Sequence, residues 1–168
     1  MEGVRSNTAL HQLDLGYCEL GNRGVSILAN ALAIRNASIL PELSLRCNEI
    51  TSVGLRALVD GNMEGMKTLT LLCLIGNPIR SKGAIILADA LGCNTVPNLK
   101  HLDLDGCQID DDGFVALASA LQQNTSLQIL DLHGNEFGER GFMALAQSLE
   151  NIKGLQEINC DVYASFQS

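Results

Sequence analysis

Apolar and variable positions alternate in six short stretches of the chain. They are centred on Leu10, Leu13 and Leu15; Leu40, Leu43 and Leu45; Leu69, Leu72 and Leu74; Leu99, Leu102 and Leu104; Leu127, Leu130 and Leu132; and Leu155, Ile158 and Cys160. Alternation with a period of two predicts a short strand in each. The stretches start 30, 29, 30, 28 and 28 residues apart. A second series keeps the same phase: Gly24, Gly54, Gly83, Gly113 and Gly141. Each glycine opens a run such as Ile86, Leu87, Ala90 and Leu91, or Leu117, Ala118, Ala120 and Leu121. Apolar residues at that spacing predict a helix with one buried stripe. The unit is therefore strand, loop, helix, loop. Successive strands must run parallel because a helix intervenes between them. A fixed period of this length predicts one supersecondary unit stacked many times, with a long surface and no deep pocket.

Between each strand and its helix stands Cys18, Asn48, Asn77, Cys107 or Asn135. An asparagine there can donate and accept toward loop backbone groups that have no ladder partner, and cysteine fills the same place as a smaller, softer group. The unit reads Leu-x-x-Leu-x-Leu-x-x-Asn/Cys-x-Leu/Ile/Phe, followed by a polar turn and glycine. It resembles the leucine-rich repeat, in the ribonuclease-inhibitor-like form also found in NOD-like receptors and Ran GTPase activators. The resemblance implies an α/β right-handed solenoid, with a parallel sheet on the concave side and helices on the convex side. One domain is expected over residues 1–168, with repeats starting near 10, 40, 69, 99, 127 and 155, the last of them partial. Residues 6–9 parallel residues 123–126 and read as the tail of a preceding helix. A piece of a longer array is expected from this, ahead of an end covered by another chain, as in end-to-end self-association, and of a short protein with a minimal cap.

Charge narrows the range of partners. The net charge is −8. Residues 1–98 balance eight acids against eight bases, whereas residues 99–168 hold eleven acids and only Lys100, Arg140 and Lys153 as bases. Phosphate binding needs a positive surface, so neither nucleic acid nor an anionic membrane is expected as partner. A basic protein is favoured by electrostatic steering. The apolar run from Leu69 to Ile75 is too short to cross a bilayer. Six cysteines raise the question of disulfides, yet Cys18 and Cys107 lie three repeats apart, roughly 14 Å at strand spacing, and a bridge reaches only about 7 Å. No zinc spacing occurs. Free thiols and a cytoplasmic setting are the expectation. Asn36 and Asn124 begin glycosylation acceptor patterns, but both fall in the helix-to-strand turn, where the repeat itself accounts for them.

The variable strand positions form three rows on the open sheet face. Gln12, Glu42, Leu71, His101, Ile129 and Glu157 make the first. Asp14, Ser44, Cys73, Asp103, Asp131 and Asn159 make the second, and Gly16, Arg46, Ile75, Asp105, His133 and Asp161 the third. The third repeat is unusual because Leu71, Cys73 and Ile75 are apolar where polar residues are expected. With Ile129 they read as an apolar anchor for a partner. Beside them, Asp103, Asp105, Asp131 and Asp161, with His101 and His133, read as a steering patch. Imidazoles among carboxylates suggest metal or acid–base chemistry, but a flat sheet excludes no water, so neither metal, cofactor nor catalysis is expected. Asp110, Asp111 and Asp112 fail as a calcium loop, since the flanking carboxylates it needs are absent, and read instead as helix caps. The expected function is non-catalytic protein binding through the concave face. The Ran-activator resemblance offers GTPase activation as an alternative, with Arg46 and Asn48 on the loops. The NOD-like receptor resemblance offers a sensor or scaffold fragment.

Overall fold

Four of the six predicted strand centres, Leu43, Leu72, Leu102 and Leu130, become buried residues between a sheet and a layer of helices. The computed structural model describes residues 10–32, 40–60 and 64–161. The segment before Leu10 and the Asn36 acceptor pattern lie outside the described residues. Six three-residue strands form one parallel sheet in sequence order: β1 (Gln12–Asp14), β2 (Glu42–Ser44), β3 (Leu71–Cys73), β4 (His101–Asp103), β5 (Ile129–Asp131) and β6 (Glu157–Asn159). The register aligns equivalent positions without a slip, so Leu13, Leu43, Leu72, Leu102, Leu130 and Ile158 form one line. Leu43, Leu72, Leu102 and Leu130 are fully enclosed.

Between the strands lie α1 (Gly21–Leu32), α2 (Ser52–Asp60), the single turn α3 (Glu64–Lys67), α4 (Arg80–Gly92), α5 (Asp111–Leu121) and α6 (Glu139–Ser148), the last followed by a 3-10 turn (Leu149–Asn151). The glycine series marks where helix meets helix. A Cβ on Gly113 would sit 2.9 Å from the Ala84 Cβ and 3.1 Å from the Ser81 backbone in α4, so only glycine permits this approach. One continuous core runs through all repeats, and the Phe114 and Phe137 rings stack 3.8 Å apart between the fourth and fifth. Leu13, Leu15 and Ile158, in the outermost described repeats, are only partly buried. Among the described residues each has a neighbouring repeat on one side only.

Two polar ladders run along the loop edge. In the first, Asn77 Oδ1 accepts the N–H groups of Asn48 and Ile50, both at 3.0 Å, while Nδ2 donates to the Leu45, Leu74 and Ile75 carbonyls. Asn48 does the same one repeat earlier, for Cys18 and Leu20, and Asn135 accepts from Ile109. Cys107 keeps only carbonyl contacts, its thiol donating to the Leu74 and Asp105 carbonyls. The N–H groups of Asn77 and Ile79, which an asparagine there would serve, turn to the Leu74 and Asn77 carbonyls instead. The second ladder caps helices. Asn22 Oδ1 accepts from Thr51 and Gly54 at the start of α2, and Asp111 Oδ1 accepts from Gly138 and Gly141 at the start of α6. Of the three consecutive aspartates, Asp110 caps its own helix by accepting from Asp112, Asp111 caps the next helix, and Asp112 pairs with Arg140.

Candidate functional site

The register places the three rows of the sheet face as the repeat spacing predicts for the strand residues. His101 sits between Leu71 and Ile129, and Asp103 between Cys73 and Asp131. The third row continues just past the strands through backbone bonds, with Gly76 N–H donating to the Asp105 carbonyl and Gly106 N–H to the His133 carbonyl. Asp103, Asp105 and Asp131 are half-buried, and Asp161 is exposed.

The apolar side chains expected to form an anchor expose less surface than the sequence suggests. Leu71, Ile75 and Ile129 are half-buried, but Cys73 is buried at 9% exposure and presents little surface. Its thiol lies against Ser44 and Asp103, and burial pushes its pKa up. None of the three remaining residues is among the exposed large apolar side chains, which lie elsewhere.

The acidic side is compact and electrostatically loaded. Burial raises the Asp103 pKa, and the neighbouring Asp131 carboxylate raises it further, against a hydrogen bond from the Asp105 N–H. His133 stands in the middle of the patch. Its Nδ1 lies 2.8 Å from Asp131 and its Nε2 3.5 Å from Asp161. The imidazole pKa is raised, first by the Asp131 hydrogen bond and then by the charges of Asp131, Asp161 and Asp105. The main partner is thus two residues away on the same strand, where alternation brings both side chains to one face, and not only along the row. No Lys or Arg occupies the nine row positions of the last three strands. Among the described residues no group of three or more His, Cys, Asp or Glu is arranged to hold a metal ion.

One residue escaped the sequence reading. Tyr17 is 72% exposed and follows β1 with φ +57. Equivalent places hold Cys47 at φ +51 and then Gly76, Gly106 and Gly134. An aromatic ring in the left-handed region that glycine favours is an uncommon and strained placement. The Arg46 guanidinium lies 5.7 Å from the centre of this ring and pairs with Asp14 at 3.2 Å. The signal was in the alignment of the repeats, as a tyrosine in a glycine position.

Asn48 is fully buried and spends both ends of its amide on loop backbone. It therefore presents nothing to a nucleotide, which removes half of the pair on which GTPase activation would rest. Asn124 is likewise buried, its Nδ2 donating to the Leu91 carbonyl, so the folded chain does not offer it for glycosylation. No helix among the described residues is long and apolar enough to cross a membrane.

A parallel sheet built from short strands in sequence order, backed by helices and laced by buried asparagines, defines a solenoid of leucine-rich units. The family model described as Leucine Rich repeat matches residues 6–29, 40–59, 97–118 and 123–146, more than half of the chain, and the protein belongs to the leucine-rich-repeat family. It is similar to human NACHT, LRR and PYD domains-containing protein 13, with 31% identity over 118 residues, or 70% of this chain. The chain spans about a tenth of that relative's length, 11%. In three dimensions it resembles the leiomodin-1 actin-binding site 2 structure, with a TM-score of 0.59 and 17% identity, covering 98% of this chain and 78% of that one. That likeness concerns the fold alone.

Proposed function

We propose that this chain is a non-catalytic protein-binding module that receives a basic partner on the sheet face of repeats three to six. The observation that carries the reading is the charge of the last three strands. Asp103, Asp105, Asp131, Glu157 and Asp161 share a face with no Lys or Arg among its row positions. In the free protein Asp103 and Asp131 are register neighbours whose repulsion, among the described residues, nothing cationic relieves except the two imidazoles. A partner's Lys or Arg relieves it, and binding is strengthened by that amount. Leu71, Ile75 and Ile129, beside the acids, supply the desolvated contact that holds the complex once formed. Similarity to human NACHT, LRR and PYD domains-containing protein 13, a much longer chain, favours the same role within a larger protein.

Rim charges set the association rate, whereas a buried apolar contact sets dissociation. With a partner in hand, Asp103→Asn combined with Asp105→Asn slows association about tenfold at low salt and flattens its salt dependence. Ile75→Asp shortens the lifetime of the complex and leaves the association rate nearly unchanged. Surface-binding kinetics at two salt concentrations read both effects. Parent-like binding by both variants rules the sheet face out.

A further inference from the structure

We propose that His133 makes binding on the acidic sheet face pH-dependent: protonated on both ring nitrogens it occupies Asp131 and Asp161, and on losing the Nε2 proton it releases Asp161 to a Lys or Arg of the partner. This is regulation of the site proposed above and rests on that reading. A carboxylate stands at each nitrogen of the ring, Asp131 at 2.8 Å from Nδ1 and Asp161 at 3.5 Å from Nε2. The first belongs to β5, the second follows β6, so the ring joins two repeats. Among the described residues the charged groups facing the ring are Asp131 on its own strand, Asp105 from the repeat before and Asp161 from the repeat after. Asp161 also accepts from the Gly134 N–H at 3.4 Å. The two carboxylates in contact with the ring differ in access: the Asp131 side chain is 24% exposed and that of Asp161 52%.

The chemistry of the ring sets the order of events. An imidazolium donates from both nitrogens, a neutral imidazole from one only. The proton that remains stays on the shorter contact, from Nδ1 to Asp131. Nε2 then turns a lone pair toward Asp161, which neither bonds to that carboxylate nor neutralises it. Asp161 is left with the Gly134 N–H, and as the more exposed of the pair it becomes the carboxylate that a partner's cation reaches. The charge of the face changes in the same sense. The imidazolium cancels one of the five carboxylates Asp103, Asp105, Asp131, Glu157 and Asp161, and that charge returns as the ring deprotonates. The surrounding carboxylates raise the imidazole pKa above the ordinary 6.5, so the change is centred above that value. A basic partner therefore binds more tightly above the His133 titration than below it. A cation about 6 Å from the ring, at an effective dielectric constant of about 60, repels the imidazolium enough to weaken binding about fivefold.

A hexa-arginine peptide with acetylated and amidated ends is the probe, because nothing in it titrates near neutral pH. Calorimetric titration at low salt, from about pH 5.5 to 9, reads its affinity for the chain as it stands. The affinity should rise about fivefold as His133 loses its proton. His133→Asn should bind at all pH values as the parent does at high pH, while His101→Asn should keep the rise. Proton NMR of the parent gives a second reading that needs no variant to fold: by linkage, saturating peptide should lower the His133 pKa by about 0.7. Should the peptide bind and Asp103→Asn with Asp105→Asn weaken it, a flat parent profile overturns the pH control alone and leaves the site standing. A rise that survives in folded His133→Asn, one lost in folded His101→Asn, or a His133 pKa that the peptide does not move does the same. A peptide that fails to bind at any pH, or that binds the Asp103→Asn, Asp105→Asn variant like the parent, overturns the sheet-face reading and the pH control with it.

Discussion

Replacing Asn77 with alanine isolates what the asparagine ladder contributes. The side chain is fully buried and makes five hydrogen bonds. Its three carbonyl partners keep other donors: Leu45 keeps Asn48 Nδ2, Leu74 keeps the Asn77 N–H, and Ile75 keeps the Cys47 N–H. The loss therefore falls on the two backbone N–H groups of Asn48 and Ile50. An unsatisfied buried donor costs about 1–3 kcal/mol, so Asn77→Ala should destabilise by about 2–6 kcal/mol, toward the lower figure if water enters. Domains of this kind are stable by only about 5–15 kcal/mol in total. Cys107→Ala is the internal comparison. No N–H with a local carbonyl partner is orphaned there, so it should cost only about 1–2 kcal/mol, mostly for the lost sulfur volume. Urea unfolding followed by far-ultraviolet circular dichroism measures both. A loss below about 1 kcal/mol for Asn77→Ala, or one no larger than for Cys107→Ala, would refute the accounting.

Two further outcomes follow from the titrating groups. His133 should titrate above the ordinary imidazole value of 6.5, with Asp131→Asn lowering it more than Asp161→Asn, as proton NMR will read. Because the folded pKa is raised, its contribution to stability is complete below the unfolded value and is lost as pH rises through the folded one. Cys18 and Cys93 are exposed, whereas burial pushes the Cys107 thiol up to about 12 and also raises Cys73. Timed thiol labelling of the native protein at about pH 8, near the ordinary cysteine value, should modify Cys18 and Cys93 first. Labelling of Cys107 at the rate of Cys18 would contradict the enclosure described for it.

Period and spacing made the strands, their register and the rows legible, because a fixed repeat leaves equivalent residues nowhere else to go. The rows said which residues are neighbours but not how deep each sits. Cys73 is small, and Ser44 and Asp103 on either side close over it, which alternation alone does not reveal. Asp111 was legible as a cap but not as the cap of the following helix, since that bond crosses 27 residues to Gly138. Ile85, Val115 and Met143 stand exposed on the helices at one offset from the repeat glycine. Helical periodicity draws attention to the buried stripe and passes over an apolar residue on the other side.

The side-chain oxygens of Asn48, Asn77 and Asn135 all accept from the repeat before their own. Asn48 completes the first repeat, Asn77 the second and Asn135 the fourth. A loop closed in this manner is finished only by its successor. For a polypeptide emerging from the ribosome amino-terminus first, the loop of each such repeat remains incomplete until roughly another thirty residues have cleared the exit. Closure of these loops therefore follows the order of synthesis.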